Sequence, residues 1–292
     1  MSSTDPTAQA SAPRYAGPPG GLPGQSALMS DRAIFTEAYA VLPRGVMRDI
    51  VVSAFPGWRG TRAWVLARPL SGFAETFSQS ILEVAPGGGS DRPEPEAQAE
   101  AVLFVTDGAP TLDLAGVRHA MGPGGYAYLA PGAAWSLSNA EETPARLHWI
   151  RKRYQPADGL SAPESFVTEE TAQEPLPMPD TSGAWATTRF VDPADLRHDM
   201  HVNIVRFAPG GCIPFAETHV MEHGLFVLEG KAVYRLNGDW VEVAAGDFLW
   251  LRAFCPQACY AGGPGSFRYL LYKDVNRLPP LDPPGAGPLG RR

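Results

Sequence analysis

The chain is poor in cysteine, and this scarcity bears on where the protein works. Its 292 residues include three cysteines, Cys212, Cys255 and Cys259. A small, odd number without a framework spacing is typical of the reducing cytosol and unlike a disulfide-stapled secreted domain. Cys255 and Cys259 lack the second cysteine pair that would complete a thiolate metal site, so we expect both to be small residues in or near the core.

Basic clusters and long apolar runs are also scarce. The net charge is −7, and no Lys/Arg run is longer than RKR at 151–153. A nucleic-acid partner would require a basic face, and a membrane span would require about 20 predominantly apolar residues. The first 30 residues have neither the basic start nor the apolar core of a signal peptide. The sequence therefore predicts a soluble, cytoplasmic protein that binds neither nucleic acid nor membrane.

Helical periodicity is hard to find, whereas turn-forming residues are abundant. The 31 glycines and 30 prolines favour a fold of many short strands. In the second half, the β-branched or aromatic runs HVNIVRF, HGLFVLE, KAVYRL, FLWL and FRYLLYK alternate with turn sequences such as APGG, NGDW and AAGD. The Asn-Gly pair at 237–238 is a hairpin signal. These patterns predict an all-β protein.

A repeat divides the chain into two related halves. VAPGGG at 84–89 matches FAPGGC at 207–212, and VLFVTDG at 102–108 matches GLFVLEG at 224–230. The same offset of 122 or 123 residues separates GPGGYAYLAPG from AAGDFLWLRAF, and LHWIRKRYQ from YLLYKDVNR. A constant offset indicates one architecture used twice in tandem. The strand signals favour two antiparallel β-barrels of jelly-roll type.

Composition sets the expected domain boundaries. Residues 1–30 and 279–292 are rich in proline and glycine, so we expect them to be disordered. The stretch 155–185 is acidic and contains several prolines, which is typical of a linker. These boundaries leave an N-terminal barrel at 31–154 and a C-terminal barrel at 186–278.

The sequence ETHVMEHG at 217–224 contains two of the six histidines of the chain. On a strand, Glu217 and His219 point to one face, and His223 joins them if the strand continues. A carboxylate and two imidazoles on one side of a small barrel form a ligand set for a divalent metal. The alternative is a solvated strand with incidental histidines, because short His/Glu patterns also occur by chance.

The spacing around this sequence resembles the first motif of the cupin family. From Gly211 to Gly230 the chain reads G-x5-E-x-H-x3-H-x6-G, and the cupin motif reads G-x5-H-x-H-x3-E-x6-G. The two differ only in where Glu and His stand. The resemblance implies a cupin barrel with a metal bound at these positions.

The second cupin motif, G-x5-P-x-G-x2-H, is degenerate in this chain. Counted from Gly246, Arg252 and Phe254 replace its Pro and second Gly, and Gln257 replaces its final His. That histidine is the fourth metal ligand of cupins. Gln257 can also bind a metal, so a fourth ligand-capable residue stands where the motif requires one.

The ligand set Glu217, His219, His223 and Gln257 resembles that of the (S)-ureidoglycine aminohydrolases, bicupins of purine breakdown. The resemblance covers roughly residues 30–277 and includes the ending YLLYKDVNR. It implies an all-β bicupin of two tandem jelly-roll (cupin) barrels. It also implies one Mn²⁺ per chain, held by these four residues in the C-terminal barrel.

The same resemblance assigns Tyr234, Tyr269 and Lys273 to the substrate pocket. Strand alternation in FRYLLYK puts Tyr269 and Lys273 on one face. A lysine facing a barrel interior beside a cation has its ammonium form disfavoured, which makes it a candidate proton shuttle. From the residues alone, an ordinary exposed strand end is the alternative for Lys273.

The reaction that the resemblance implies is hydrolysis of a C–N bond in a linear, amidine-type substrate. Ammonia leaves the α-carbon of the small molecule (S)-ureidoglycine, and (S)-ureidoglycolate forms. Lys273, Glu217 and Tyr269 are the catalytic candidates, and Tyr234, Tyr269 and Lys273 are the substrate-binding candidates. Lys273 would transfer protons between the departing amine and the incoming water.

The first half provides an internal control. At the same offset, the first three ligand positions hold Glu94, Glu96 and Glu100, and the fourth holds Trp135. Without a histidine, and with a bulky indole at the fourth position, the N-terminal barrel is expected to be metal-free. The four remaining histidines lack partner spacing and are expected to be surface or packing residues: His119, His148, His198 and His201.

Two other functions remain open on the sequence alone. One is an Fe²⁺-dependent cupin dioxygenase in the same barrel, since a fold does not fix a function. The other is a non-enzymatic bicupin that binds a small molecule, which would not need Lys273. Metal content, oxygen uptake and metal-dependent turnover separate these readings. A homo-oligomer, with a dimer as the simplest state, is expected because bicupins commonly pair through strands.

Overall fold

The computed structural model describes residues 33–46, 51–52, 55–69 and 73–274, and within these ranges it is built of β-strands without an α-helix. It follows that the described residues contain no helix long and apolar enough to cross a membrane. The two segments predicted to be disordered, 1–30 and 279–292, lie outside the described residues.

The strands, in chain order, are β1 Ile34–Phe35, β2 Tyr39–Leu42, β3 Val51–Val52, β4 Arg59–Ala67, β5 Phe77–Ser90, β6 Ala99–Asp107, β7 Thr111–Leu114, β8 Val117–Ala120, β9 Gly125–Leu129, β10 Trp135–Ser138, β11 Ala145–Arg153, β12 Phe166–Glu169, β13 Leu176–Pro177, β14 Trp185–Thr188, β15 His201–Phe207, β16 Cys212–Glu217, β17 His223–Glu229, β18 Lys231–Leu236, β19 Asp239–Ala244, β20 Phe248–Leu251, β21 Gln257–Ala261 and β22 Phe267–Lys273. A 3-10 turn at Glu170–Ala172 follows β12.

The strands form three antiparallel sheets. One has the order β1-β2-β20-β17-β22-β15-β14-β13, and a second, smaller one has the order β16-β21-β18-β19. The third has the order β12-β9-β6-β11-β5-β10-β7-β8, with β4 beside β5 and β3 beside β4. The first two sheets enclose the core of the second half, and the third curls around the core of the first half. The prediction of an all-β chain with two antiparallel barrels is confirmed.

Strand alternation decides which side chains of the second half face its interior. On β22, Phe267 and Tyr269 belong to the core of that half, whereas Leu270 and Tyr272 belong to a cluster shared with the first half. This is the two-residue period of a sheet buried on both faces. Lys273 follows the same period and lies on the interior face.

The two halves pack through the outer faces of their sheets. Phe77 stacks on Tyr272 with ring centroids 4.0 Å apart, and the ring of His148 lies 4.4 Å from that of Phe226. A Cβ added at Gly224 would come within 2.6 Å of the Phe77 ring, so this glycine permits the close approach. His148 is completely buried, and burial lowers its pKa to about 3, which fits a neutral packing residue.

The basic run at 151–153 takes part in contacts within the fold. Arg151 pairs with Glu94, and the buried Lys152 pairs with the buried Asp199 of the second half. These pairs join β11 to neighbouring segments, so the longest basic run of the chain is not a free cationic surface.

Some strands cross the boundaries expected from composition. β2 pairs with β20, so β1 and β2 lie in a sheet of the second half, although 31–154 was assigned to the first. Within 155–185, β12 pairs with β9 of the first half, and β13 pairs with β14 of the second. Each of these segments covers a sheet edge that would otherwise be open. The predicted linker is therefore tied to both sheets.

Candidate active site

A cavity of about 150 Å³ lies inside the second barrel, between its two sheets. Six of the seven predicted site residues line it: Glu217, His219, His223, Gln257, Tyr269 and Lys273. Tyr234 does not line the cavity but lies behind Tyr269. The hydroxyl of Tyr234 donates a hydrogen bond of 3.1 Å to the hydroxyl oxygen of Tyr269. Both phenols are buried, which raises their pKa and keeps them protonated.

The predicted metal ligands lie next to one another along the cavity wall. The end of β16 meets the start of β21, where Glu217 is in register with Gln257 and its Oε1 lies 3.4 Å from the Gln257 Nε2. The same Oε1 lies 3.2 Å from the His219 Nε2. The rings of His219 and His223 have centroids 5.1 Å apart.

These residues converge by a route that differs from simple strand alternation. β16 ends at Glu217, and His219 lies in the loop that crosses to the opposite sheet, where His223 opens β17. The backbone oxygen of His219 accepts a hydrogen bond of 2.7 Å from the Phe254 amide, which fixes the loop. The strand therefore does not continue through the motif, and its three ligand candidates come from two sheets and the loop between them.

The chemistry of this donor set fits a divalent cation. Among the described residues, no group of three or more His, Cys, Asp and Glu side chains is already arranged to hold one. The pairwise contacts nevertheless bring the Glu217 carboxylate against His219 and Gln257. Burial lowers the pKa of His223 to about 3, with His219 and Lys273 adding to the shift, so its ring is neutral, as metal ligation requires.

Lys273 is the middle residue of a row of three side chains. It is in register with His201 on β15 and with His223 on β17, so all three point to the cavity side of the sheet. Burial lowers the pKa of Lys273, and the positive charge of Arg189 lowers it further. Lys273 is therefore more buried than a lysine at an exposed strand end, which was the alternative for this residue.

The polar residues of the cavity that the sequence analysis missed include Arg189 and Asn203. Arg189 follows β14, and Asn203 lies on β15. Neither belongs to a motif, and the only signal was position: Asn203 lies on the inward face of β15, and Arg189 directly follows β14. Reading that signal requires the register between β14 and β15, which composition does not give.

Glu222, next to His223 in the motif, turns away from the cavity and binds the first half. Its carboxylate accepts hydrogen bonds from the Trp250 indole (2.6 Å) and the Glu75 amide (2.6 Å), and from the amide and hydroxyl of Thr76. Its own amide donates to Asp274 over 2.7 Å. Glu222 is 4% exposed, so these donors replace water. The first half therefore anchors the loop that carries the predicted ligands.

Glu222→Gln is expected to lower the free energy of unfolding by about 3 kcal/mol, because it removes the charge from a buried acceptor and turns an NH₂ group toward donors. Denaturant unfolding measures this loss. Glu75→Gln is the matched control, since that side chain is 71% exposed and its loss should change stability by less than about 0.5 kcal/mol. Equal stability of the two variants would contradict the anchoring role.

The equivalent positions of the first half are filled by protein side chains. Glu94 and Arg151, which align with the carboxylate and the lysine of the cavity, pair with each other. Trp135 aligns with the fourth predicted ligand and packs edge-on against Trp58 and Trp149, with centroids 6.4 and 6.2 Å away. An ion pair and indole rings thus stand at these positions, and Glu94 and Trp135 also line a cavity of about 220 Å³ in the first half.

Comparison with solved structures gives the same architecture. A protein from Pseudomonas aeruginosa described as glyoxylate-induced is 67% identical, with a TM-score of 0.85 over 92% of this chain and 98% of that one. The Escherichia coli protein Ylba is 28% identical, with a TM-score of 0.75 over 88% of this chain and all of that one.

Comparison with protein families and curated proteins identifies the family. The cupin domain model matches residues 80–151 and 203–272, one segment in each half, which confirms the bicupin prediction. The (S)-ureidoglycine aminohydrolase of Escherichia coli K12 is 31% identical over 253 residues, covering 86% of this chain and 94% of that protein. The enzyme of that name from Arabidopsis thaliana is 33% identical over 78% of this chain and 74% of its own length. The chain belongs to the (S)-ureidoglycine aminohydrolase family.

Proposed function

We propose that this protein hydrolyses (S)-ureidoglycine to (S)-ureidoglycolate and ammonia, a reaction of allantoin and purine breakdown. One observation carries the proposal: the cavity of the second barrel joins Glu217, His219, His223 and Gln257 with Lys273 and Tyr269. The curated relatives that span most of the chain bear the name of this activity.

Glu217, His219, His223 and Gln257 would hold one divalent cation, which we propose to be Mn²⁺. Two imidazoles, a carboxylate and a carboxamide oxygen form a ligand set of nitrogen and oxygen atoms. Such a set suits Mn²⁺ better than it suits metals that prefer thiolate ligands. Held there, such an ion would act as a Lewis acid toward the substrate.

The side chains around the proposed ion bind the substrate and move protons. Tyr269 accepts a hydrogen bond from Tyr234, so its own hydroxyl proton is free to bind the substrate. Lys273 gives a proton from Nζ to the departing amine and takes one from the incoming water. The α-carbon–nitrogen bond breaks, a carbon–oxygen bond forms, and ammonia leaves. Glu217 supplies the carboxylate of the site.

The test is ammonia release from freshly generated (S)-ureidoglycine, with and without Mn²⁺ and against a protein-free control. We expect metal-dependent release with one ureidoglycolate formed per ammonia. Oxygen uptake without ammonia release would favour the Fe²⁺ dioxygenase, and binding without turnover would favour the binding module. The curated relatives favour neither alternative. The homo-oligomeric state stays a prediction, tested by light scattering.

A further inference from the structure

We propose that Arg189 and Asn203 form a subsite for the ureido group of the substrate. The subsite lies in the same cavity as the predicted metal ligands but on β15 and directly after β14, whereas Glu217 and Gln257 lie on the facing sheet. The inference rests on the proposed function, because it takes ureidoglycine as the substrate and assigns one part of that molecule to named side chains.

The register of the sheet brings the two residues together. Thr188, the last residue of β14, is in register with Ile204 of β15, and continuing this antiparallel register by one residue sets Arg189 opposite Asn203. Both line the cavity. The charge of Arg189 also lowers the pKa of Lys273, the amine proposed to move protons.

Asn203 has a hydrogen-bonding capacity that the fold does not use. Its side chain is 3% exposed, and its Oδ1 has no hydrogen-bond partner within the described part of the chain. Buried acceptors are nearly always partnered, because leaving one unpaired destabilises the folded state. Asn203 lines the cavity and carries an unused acceptor beside it, which a bound molecule with an N–H group can satisfy once the amide turns toward that molecule.

The hydrogen-bonding pattern of the subsite selects the ureido group. A carboxylate carries no hydrogen to donate, so it cannot satisfy the Oδ1 of Asn203. A ureido group has N–H donors for Asn203 and a carbonyl oxygen that accepts from the Arg189 guanidinium. Binding the ureido group here leaves the carboxylate and the departing amine of the substrate for the metal-ligand end, beside Lys273.

The binding test uses two probes that differ by one group. (S)-ureidoglycolate and glycolate both carry a carboxylate and a hydroxyl, and only the first carries a ureido group. Calorimetry on the full-length, Mn²⁺-loaded protein should show ureidoglycolate bound about tenfold or more weakly by Arg189→Met and by Asn203→Leu. The inhibition constant for glycolate should stay at its wild-type value in both variants, and so should their metal content. KM for ureidoglycine should rise in both variants, with little change in kcat for Asn203→Leu, whereas Arg189→Met should also change kcat because the charge of Arg189 lowers the pKa of Lys273.

Arg206→Met is the matched control, because Arg206 lies on β15 but points outward and is exposed. It removes the same charge and should bind both probes as the wild type does. The thermal midpoint gives a second readout for Asn203→Leu. Removing a buried, unpartnered acceptor should leave Tm equal to or above that of the wild type, and a purely structural asparagine would lower it. If Asn203→Leu fails to fold, Arg189→Met decides the test.

Three outcomes would overturn the assignment or its basis. If Arg189→Met weakens glycolate as much as ureidoglycolate, the subsite binds the carboxylate instead. If the wild type releases ammonia and both variants keep its Kd and KM, the two residues do not bind the substrate, and the proposed function survives. If the wild type neither releases ammonia nor binds ureidoglycolate, the proposed function falls and this subsite falls with it.

Discussion

His223→Ala is expected to abolish both metal binding and ammonia release. His223 is a buried, neutral imidazole that opens β17 between His219 and Lys273. Alanine removes a nitrogen ligand, and no other imidazole lies on that strand. Elemental analysis of purified protein should find one divalent ion per chain in the wild type and background levels in the variant.

The control for this result is His119→Ala, a partly exposed histidine on β8 of the first half, which should keep wild-type metal content and turnover. Two metal equivalents per wild-type chain would show that the first half also binds an ion, despite the Arg151–Glu94 pair and the indole of Trp135. Wild-type metal content in His223→Ala would remove this residue from the ligand set.

The architecture was readable from the sequence because two signals agree. Runs of β-branched and aromatic residues between turn residues mark the strands, and the constant offset of 122 or 123 residues marks the two halves. Composition could not predict which sheet each peripheral strand joins. Tyr39–Leu42 pairs with β20 of the distant half, and that pairing depends on which sheet edge is open after both barrels have formed.

The candidate site was predictable to the extent that it lies in motifs. Motif spacing brought Glu217, His219 and His223 together, although a loop joins them where a continuous strand was expected. Arg189 and Asn203 carry no such spacing. Their proximity arises from register between β14 and β15, a long-range property that a linear pattern does not encode.

Lys273→Met is expected to lower turnover by roughly 10²–10⁴-fold, the contribution of a positioned acid–base group. Register places the lysine beside His223 on the cavity side of β22, and burial together with Arg189 lowers its pKa toward the range in which an amine exchanges protons. Methionine keeps much of the aliphatic stem and removes the ammonium, so folding and metal content should be retained. Steady-state ammonia release measures the loss, which should fall mainly on kcat if the ammonium acts in the transition state.

Lys231→Met provides the matched control, because Lys231 is exposed at the start of β18 and its replacement makes the same change in net charge. It should retain wild-type kcat. A loss of kcat that occurs only in Lys273→Met would then result from the position of that amine and not from the change in net charge. A folded, metal-loaded Lys273→Met enzyme with undiminished ammonia release would remove the lysine from the mechanism. Proton transfer would then have to pass through another group, and Glu217 and Tyr269, the other two catalytic candidates, both line this cavity.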